Sequence, residues 1–196
     1  EGDIEILTQI ATDNFGGGEE AGRAIVEVLG EDGGKVAVLH FEQAESCRLR
    51  VAGFKKVINA HNESATNKII ITNEYASGGA KDQGFTAAEA ALQTDPDLKA
   101  IFAINDPAAL GARAALEKHD KTKQVTIVGF DGQPDGKQAI KEGKIYADPI
   151  QFPDQMGIKV VESIVAFFNG DEVPAEQLIP TKLYKREDAE NDPELK

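Results

Sequence analysis

Three side chains stand where buried chain gives way to polar tips. Asn105 and Asp106 follow directly on the apolar run IFAI (101–104), and Asp131 follows TIVGF (126–130). Each run reads as a buried strand, and each polar tip leads into a helical pattern. In open α/β sheets, ligands bind outside the carboxyl ends of the strands, so a small polar molecule is read at such positions. The residue types suit hydroxyl groups. A carboxylate accepts from two of them, and an amide both donates and accepts. Asn and Asp also cap helices and turns, so these residues alone leave a structural use open as well.

Other chemistries lack their parts. A net charge of −13 repels phosphates, so nucleic acid is not an expected partner. Cys47 is the only cysteine, which excludes an internal disulfide, and His40, His61 and His119 are scattered. No zinc-type ligand cluster arises from that set, and no metal or cofactor is expected. The glycines GGG (16–18) invite a phosphate-loop reading, but neither GxxxxGK[ST] nor a complete GxGxxG after a strand is present. They are read instead as a turn and a site of close packing before a helix, with Asp13 and Asn14 as turn or cap residues. Asp106 and Asp131 are carboxylates of the kind acid–base catalysis uses. No nucleophile elbow or serine–histidine–aspartate order accompanies them, and an enzyme is not expected.

The elements that position these residues follow from the apolar pattern. At 196 residues and 41% hydrophobic, the chain can build one good-sized domain, or one and a fragment of another. No apolar run approaches the length of a membrane span, and EGDIEI at the start has no basic or apolar leader region. Continuous apolar runs recur at 35–41, 68–72, 99–104, 124–130 and 144–150, as expected of strands buried on both faces. Helical spacing lies between them: Ala21, Ile25 and Leu29; Val51, Phe54 and Ile58; Phe85, Ala88 and Leu92; Ala108, Ala112, Ala115 and Leu116. The alternation predicts an α/β fold with a doubly wound parallel sheet. Asp106 before Pro107 reads as a helix cap, and Gly170 as a helix stop.

Two segments stand apart. The stretch 153–171 predicts a helix with Met156, Val160, Ile164, Phe167 and Phe168 on one stripe, widened by Ile158, Val161 and Val165. Such a stripe needs a broad apolar partner. The tail KREDAENDPELK is nearly all charged and is expected to fray.

Six segments, in order, carry a resemblance: DNFGGGEEAG (13–22), CRLRVAGF (47–54), IFAINDPAALGA (101–112), VGFDGQPDG (128–136), PIQFPDQMG (149–157) and LIPTKLY (178–184). Together they resemble the second lobe and the interlobe crossings of periplasmic sugar-binding proteins of the ribose-binding type, the soluble receptors of ABC importers. The resemblance implies a type I periplasmic-binding-protein-like lobe over 1–152. It implies a segment, 153–177, that packs on a first lobe without a counterpart in this chain, then a return strand over 178–186 and a charged tail over 187–196. It implies binding of a monosaccharide, foremost ribose or a similar pentose, by hinged closure of two lobes, with a membrane permease as partner and a periplasmic location. The sugar hydroxyls are then gripped by Arg50, Asn105, Asp131 and Gln151. The chemistry agrees, because vicinal hydroxyls suit planar groups that reach two at once.

The family commonly stacks an aromatic ring from the loop here spanning 73–84. An ungapped match puts Gly79 at that place, and Tyr75 supplies a ring only if the loop folds back. An alternative on the same fold is the effector-binding core of a lac-repressor-type regulator, although QPDGKQAIKEGKI is closer in wording to transport receptors. With the first lobe absent, the apolar helix at 154–169 is expected to mediate self-association.

Overall fold

The computed structural model describes residues 5–195. Along the chain run β1 (Gln9–Thr12), α1 (Asn14–Leu29), β2 (Gly34–His40), α2 (Glu45–Ser64), β3 (Ile69–Ala76), α3 (Lys81–Thr94), β4 (Ala100–Ala103) and α4 (Asp106–Lys118). Then follow β5 (Thr126–Val128), α5 (Pro134–Lys141), β6 (Ala147–Ile150), α6 (Pro153–Asn169), β7 (Glu176–Ile179), β8 (Lys182–Lys185) and α7 (Arg186–Asn191). Six strands form the main sheet in the order β3-β2-β4-β5-β6-β8. All pairings are parallel except that of β6 with the edge strand β8.

Alternate residues of each strand enter two separate cores. Val36, Val38, Phe102, Val128 and Phe130 pack with Ala21, Ile25, Phe54 and Ile58 of α1 and α2. On the other face Leu39, Ile101 and Ile127 pack with Ala88 and Leu92 of α3, Ala112 and Leu116 of α4, and Ile140 of α5. Helices on both faces explain why the strands read as unbroken apolar runs. The chain is an α/β fold with a doubly wound, mostly parallel sheet.

The GGG run does not form a turn ahead of a helix. It lies inside the first turns of α1, which Asp13 caps by accepting from Gly16 N at 2.8 Å. A Cβ at Gly18 would lie 2.0 Å from the Arg50 carbonyl oxygen, and one at Gly17 would lie 2.5 Å from the Phe130 ring. The glycines therefore let α1 settle directly on the backbone of α2 beside Arg50.

A second, two-stranded parallel sheet pairs β1 with β7, Gln9 opposite Glu176 and Thr12 opposite Ile179. Helix α6 touches it through Ser163, the helix's one buried residue, whose Oγ accepts from Gln177 Nε2 at 2.9 Å. The rest of its apolar stripe stays in water: Ile158, Val161, Ile164, Val165 and Phe167 are all exposed, and Phe168 is 81% exposed. Gly170, at φ +80°, closes the helix in the left-handed conformation that glycine adopts readily.

The tail is ordered rather than frayed. Asp188 accepts from Lys185 N to start α7, Ala189 is fully buried, and Leu195 packs against the α3–α5 core. Tyr184 donates to Asp192 at 2.8 Å. A few buried contacts suffice here because the charged side chains between them stay in solvent.

Candidate functional site

Strand β2 has β3 on one side and β4 on the other, so the order of the sheet reverses there, and the cleft at the carboxyl ends opens beside that switch. Arg50 reaches it from the first turns of α2, Asn105 from the end of β4, Asp131 from the end of β5 and Gln151 from the end of β6.

Arg50 is 5% exposed and held on three sides. Its Nε donates to Asn14 Oδ1 at 2.8 Å, and its Nη1 donates to the Ile104 carbonyl at 2.6 Å and to Asp131 Oδ1 at 2.8 Å. The guanidinium carbon lies 3.8 Å from the Phe130 ring centroid, on the face that attracts cations. Among the described residues the Nη2 end bonds no protein atom, which leaves two donors for a ligand.

Asp131 receives two donors on one oxygen, Arg50 Nη1 and Gln151 Nε2, the latter at 2.6 Å. Its other oxygen faces Gln133 Nε2 at 3.3 Å. The backbone here is strained: Asp131 has φ +104° and Gly132 has φ +75°. A side chain at Gly132 would strike Ile150, with Cγ2 2.2 Å from the Cβ position. A non-glycine residue at such a φ persists only when its surroundings over-determine it. They do so here. Asp131 N donates to Pro149 O, Gln151 N donates to Asp131 O, and Gln133 N donates to Asp106 Oδ2 at 2.6 Å. Gln151 in turn ties the site to β1, since its Oε1 accepts from Thr12 Oγ1 at 2.6 Å.

Arg50, Asp131 and Gln151 thus form one hydrogen-bonded cluster, and Asn105 sits beside it without joining it. Asn105 Oδ1 accepts from Ala108 N at 3.1 Å and Nδ2 donates to Gly79 O at 3.0 Å. The cap of α4 is therefore Asn105, one residue earlier than Asp106, and this frees the Asp106 carboxylate for Gln133. One N–H and one lone pair of Asn105 remain for a ligand. The loop after β3 is shorter than 73–84, because the strand runs through to Ala76. Tyr75 lies on that strand, partly buried against the α3–α5 core, and does not fold back over the cleft. Phe41 is the ring beside Gly79, 3.6 Å from its Cβ position. A cavity of 350 Å³ borders the cluster, lined by Asp131, Gly132, Gln133, Gln151, Pro153 and Met156.

The profile of the periplasmic binding protein domain matches residues 3–172. The chain belongs to the periplasmic binding protein family. Among curated relatives, the Ribose import binding protein RbsB of Escherichia coli is 34% identical over 179 residues, 91% of this chain and 58% of the relative. The D-apiose import binding protein of Paraburkholderia graminis is 31% identical, over 93% of this chain and 57% of the relative. Among solved structures, GanP, a glucose-galactose binding protein from Geobacillus stearothermophilus, superposes with a TM-score of 0.85 at 27% identity, over 93% of this chain and 63% of that one. This periplasmic binding protein chain thus spans about three fifths of the length of such relatives. The fold is type I, as expected, and the reading as a binding protein rather than an enzyme agrees with the family.

Sequence reasoning overlooked several contributors to the site of this periplasmic binding protein. Asn14, read as a turn or cap residue, instead orients Arg50 and donates from Nδ2 to Thr12 O at 3.0 Å. Phe130 lies under the guanidinium, and Asp148 lies beneath the Asp131 turn. The apolar run ending at Phe130 pointed to a strand and hid the ring's second use. Asp148, an ionisable residue inside the run KIYADPI, was a visible anomaly. Burial pushes the Asp106 carboxyl up to about 6, opposed by the neighbouring Asp148 carboxyl and the backbone N–H groups of Gln133 and Gly132, and raised further by Asp131's charge. Burial, then the neighbouring Asp106, raises Asp148 well above the usual carboxylate range.

Proposed function

We propose that this chain is the sugar-gripping lobe of an extracytoplasmic receptor that delivers a monosaccharide, foremost ribose or a similar pentose, to the permease of an ABC importer. The observation that carries this reading is the Arg50–Asp131–Gln151 cluster at the carboxyl ends of the strands, with Asn105 at its rim. A guanidinium end, a carboxylate and two primary amides within one cleft match the alternating donors and acceptors of a sugar's vicinal hydroxyls. Relatives named for import of ribose and D-apiose, and one named for D-allose, support the substrate class.

The lobe proper is proposed as residues 1–152 with the return strand 178–186 and the tail 187–196. Helix α6 and the 153–177 segment, with β1 alongside, would face a first lobe of the length that the relatives have in addition. Closure of the two lobes on the sugar would then stabilise the bound state through contacts from both sides. A single lobe binds weakly, since each 1.4 kcal/mol of lost contact is about tenfold in affinity.

The test is an NMR titration of the chain with D-ribose, D-allose, amino acids and nucleotides, following the Arg50 Nε–H signal and the side-chain amides of Asn105 and Gln151. The proposal expects saturable shifts of all three with a neutral monosaccharide. Shifts with amino acids or nucleotides alone would refute it.

A further inference from the structure

Beneath the Asp131 turn, on the α3–α5 side of the sheet, lie two buried carboxyl groups. Asp148 is fully buried and Asp106 is 1% exposed. The two carboxyls are close enough to influence one another's ionisation. Among the described residues Asp106 Oδ1 and both oxygens of Asp148 are buried without a hydrogen-bond partner. As two carboxylates they could not partner one another, because both would only accept. A single proton on Asp148 would give two of these three atoms a partner, its O–H donating to Asp106 Oδ1. The packing leaves the pair little freedom. A Cβ at Gly129 would lie 2.4 Å from Asp148 Oδ1, and one at Gly136 would lie 2.1 Å from Asp106 Oδ1.

We propose that Asp106 is a positioning residue for sugar recognition, holding the strained 131–133 turn by its bond to Gln133 N, and that Asp148 keeps it aligned by sharing a proton with it. This rests on the monosaccharide reading above, although the mechanical part stands on the turn itself. Among the described residues, Asp106 Oδ2 is the acceptor for the backbone N–H of Gln133 at the far end of a turn whose first residue, Asp131, sits at φ +104°. Release of that end lets Asp131 relax away from Arg50 and Gln151.

The surrounding charges favour a shared proton over two free carboxylates. Asp131 adds a third negative charge from the turn, and the guanidinium of Arg50 is bonded to Asp131, Asn14 and Ile104. From β8, Tyr184 stands opposite Asp148 in the strand pairing, and its hydroxyl donates to Asp192. From α5, Lys137 lies 5.4 Å from the Tyr184 ring centroid and is bound by Asp192 and Glu194. From α4, Asp106 itself is the ionisable group that reaches the pair.

The test uses the chain labelled with ¹³C-aspartate. One carboxyl of the Asp106–Asp148 pair should stay protonated through neutral pH, and Asp148→Asn should remove that titration. If both carboxyls instead titrate in the ordinary range near about 4, the shared proton is refuted. Exchange of the Gln133 amide should speed by about tenfold or more in Asp106→Ala, the worth of a hydrogen bond to a charged group. Asp106→Asn, which can still accept from Gln133 N, should restore it. Unchanged exchange in Asp106→Ala would overturn the positioning role, and the parent titration with Asp106→Asn decides the matter if the alanine variant does not fold. With D-ribose as probe, Asp106→Ala should weaken binding by about tenfold, and Asp106→Asn should recover it. Equal ribose affinity despite fast exchange would break the link to recognition. A parent chain that responds to amino acids or nucleotides and to neither D-ribose nor D-allose would instead refute the monosaccharide reading, and the exchange data would still judge the turn.

Discussion

Arg50 Nη1 lies 2.8 Å from Asp131 Oδ1, an ion pair whose side chains are 7% and 15% exposed. The two residues are 81 positions apart in sequence, and each is also fixed by its own local ties. Arg50 has Asn14, Ile104 O and the Phe130 ring; Asp131 has Gln151 and the strained turn. The pair is therefore set in place by the protein alone, and its remaining donors and acceptors need little rearrangement to meet the proposed ligand.

Removing one partner leaves the other charged and nearly buried. Asp131→Ala should destabilise the chain by about 3 kcal/mol, the low end for a broken buried pair, because Arg50 keeps three other contacts. Urea unfolding at neutral pH measures this. The same variant should abolish the NMR shifts produced by D-ribose, since hydroxyl donors lose their charged acceptor. Asp131→Ala with parental stability would show that the pair is not coupled to the fold.

The glycine run beneath this pair gives a second expectation. A methyl group at Gly18 meets the Arg50 carbonyl, a backbone atom that cannot swing aside. Gly18→Ala should therefore cost about 3 kcal/mol, the upper part of the range for overpacking, and should shift the Arg50 Nε–H signal. The gain in helix propensity from the same change is only about 1 kcal/mol and does not offset it. A Gly18→Ala chain as stable as the parent would rule out the close approach of α1 and α2.

Much of this was legible beforehand, for a reason that also sets the limit. Strands covered on both faces must be apolar throughout, so β2, β4, β5 and β6 stood out, and Asn105 and Asp131 at the ends of β4 and β5 followed from position, whereas Arg50 and Gln151 came from the family resemblance. What pairs with those residues depends on how separate elements converge. Asn14 meets Arg50 across 36 positions and Thr12 meets Gln151 across 139, and neither spacing has a local signature. The cap of α4 was misplaced by one residue because Asn105 and Asp106 are both good cap formers. Only the Gln133 amide, 27 positions on, decides which of them is free. The tail was misread because α7 is anchored by Ala189 alone among buried residues of the helix, a signal too small to stand out among its charges.

Acid–base behaviour should carry the mark of the buried carboxyl pair. Asp106 is pushed up to about 6 from an ordinary 3.8, and Asp148 is raised well above the ordinary range. Between the ordinary and the raised values the folded chain binds more protons than the unfolded one, so stability falls as pH rises. The pair's stabilising effect is complete below about 4 and is lost progressively as pH rises through the raised values, about 6 for Asp106. Surface carboxylates such as Glu27, whose acidity is enhanced by bonds from Lys185 and Tyr146, act in the opposite sense, and their stabilisation is lost as pH falls through their lowered values. The difference between parent and Asp148→Asn isolates the pair. Urea unfolding over a pH series should show parent stability declining relative to the variant from about 4 upward. A constant difference across that range would sink the idea.

The last expectation concerns α6, whose apolar side chains lie in water on most of its circumference. Ile158, Val161, Ile164, Val165, Phe167 and Phe168 are exposed along it, with Leu178 of β7 nearby in the same small unit. Each large side chain that finds cover gains roughly 1.5–3 kcal/mol, and a contiguous patch of this kind marks an interface. In a two-lobed receptor the facing lobe provides that cover. In this chain by itself the available partner is a second copy, since, among the described residues, the exposed stripe of α6 is left uncovered by the β1–β7 strands that the helix touches. The chain should therefore self-associate through α6. Ile164→Asp together with Phe168→Asp, both outside the lining of the cavity beside the cluster, should shift it towards monomer in sedimentation or light scattering, without changing the Arg50 Nε–H signal. A parent chain that sediments as a monodisperse monomer, with α6 helical by hydrogen exchange, would count decisively against this.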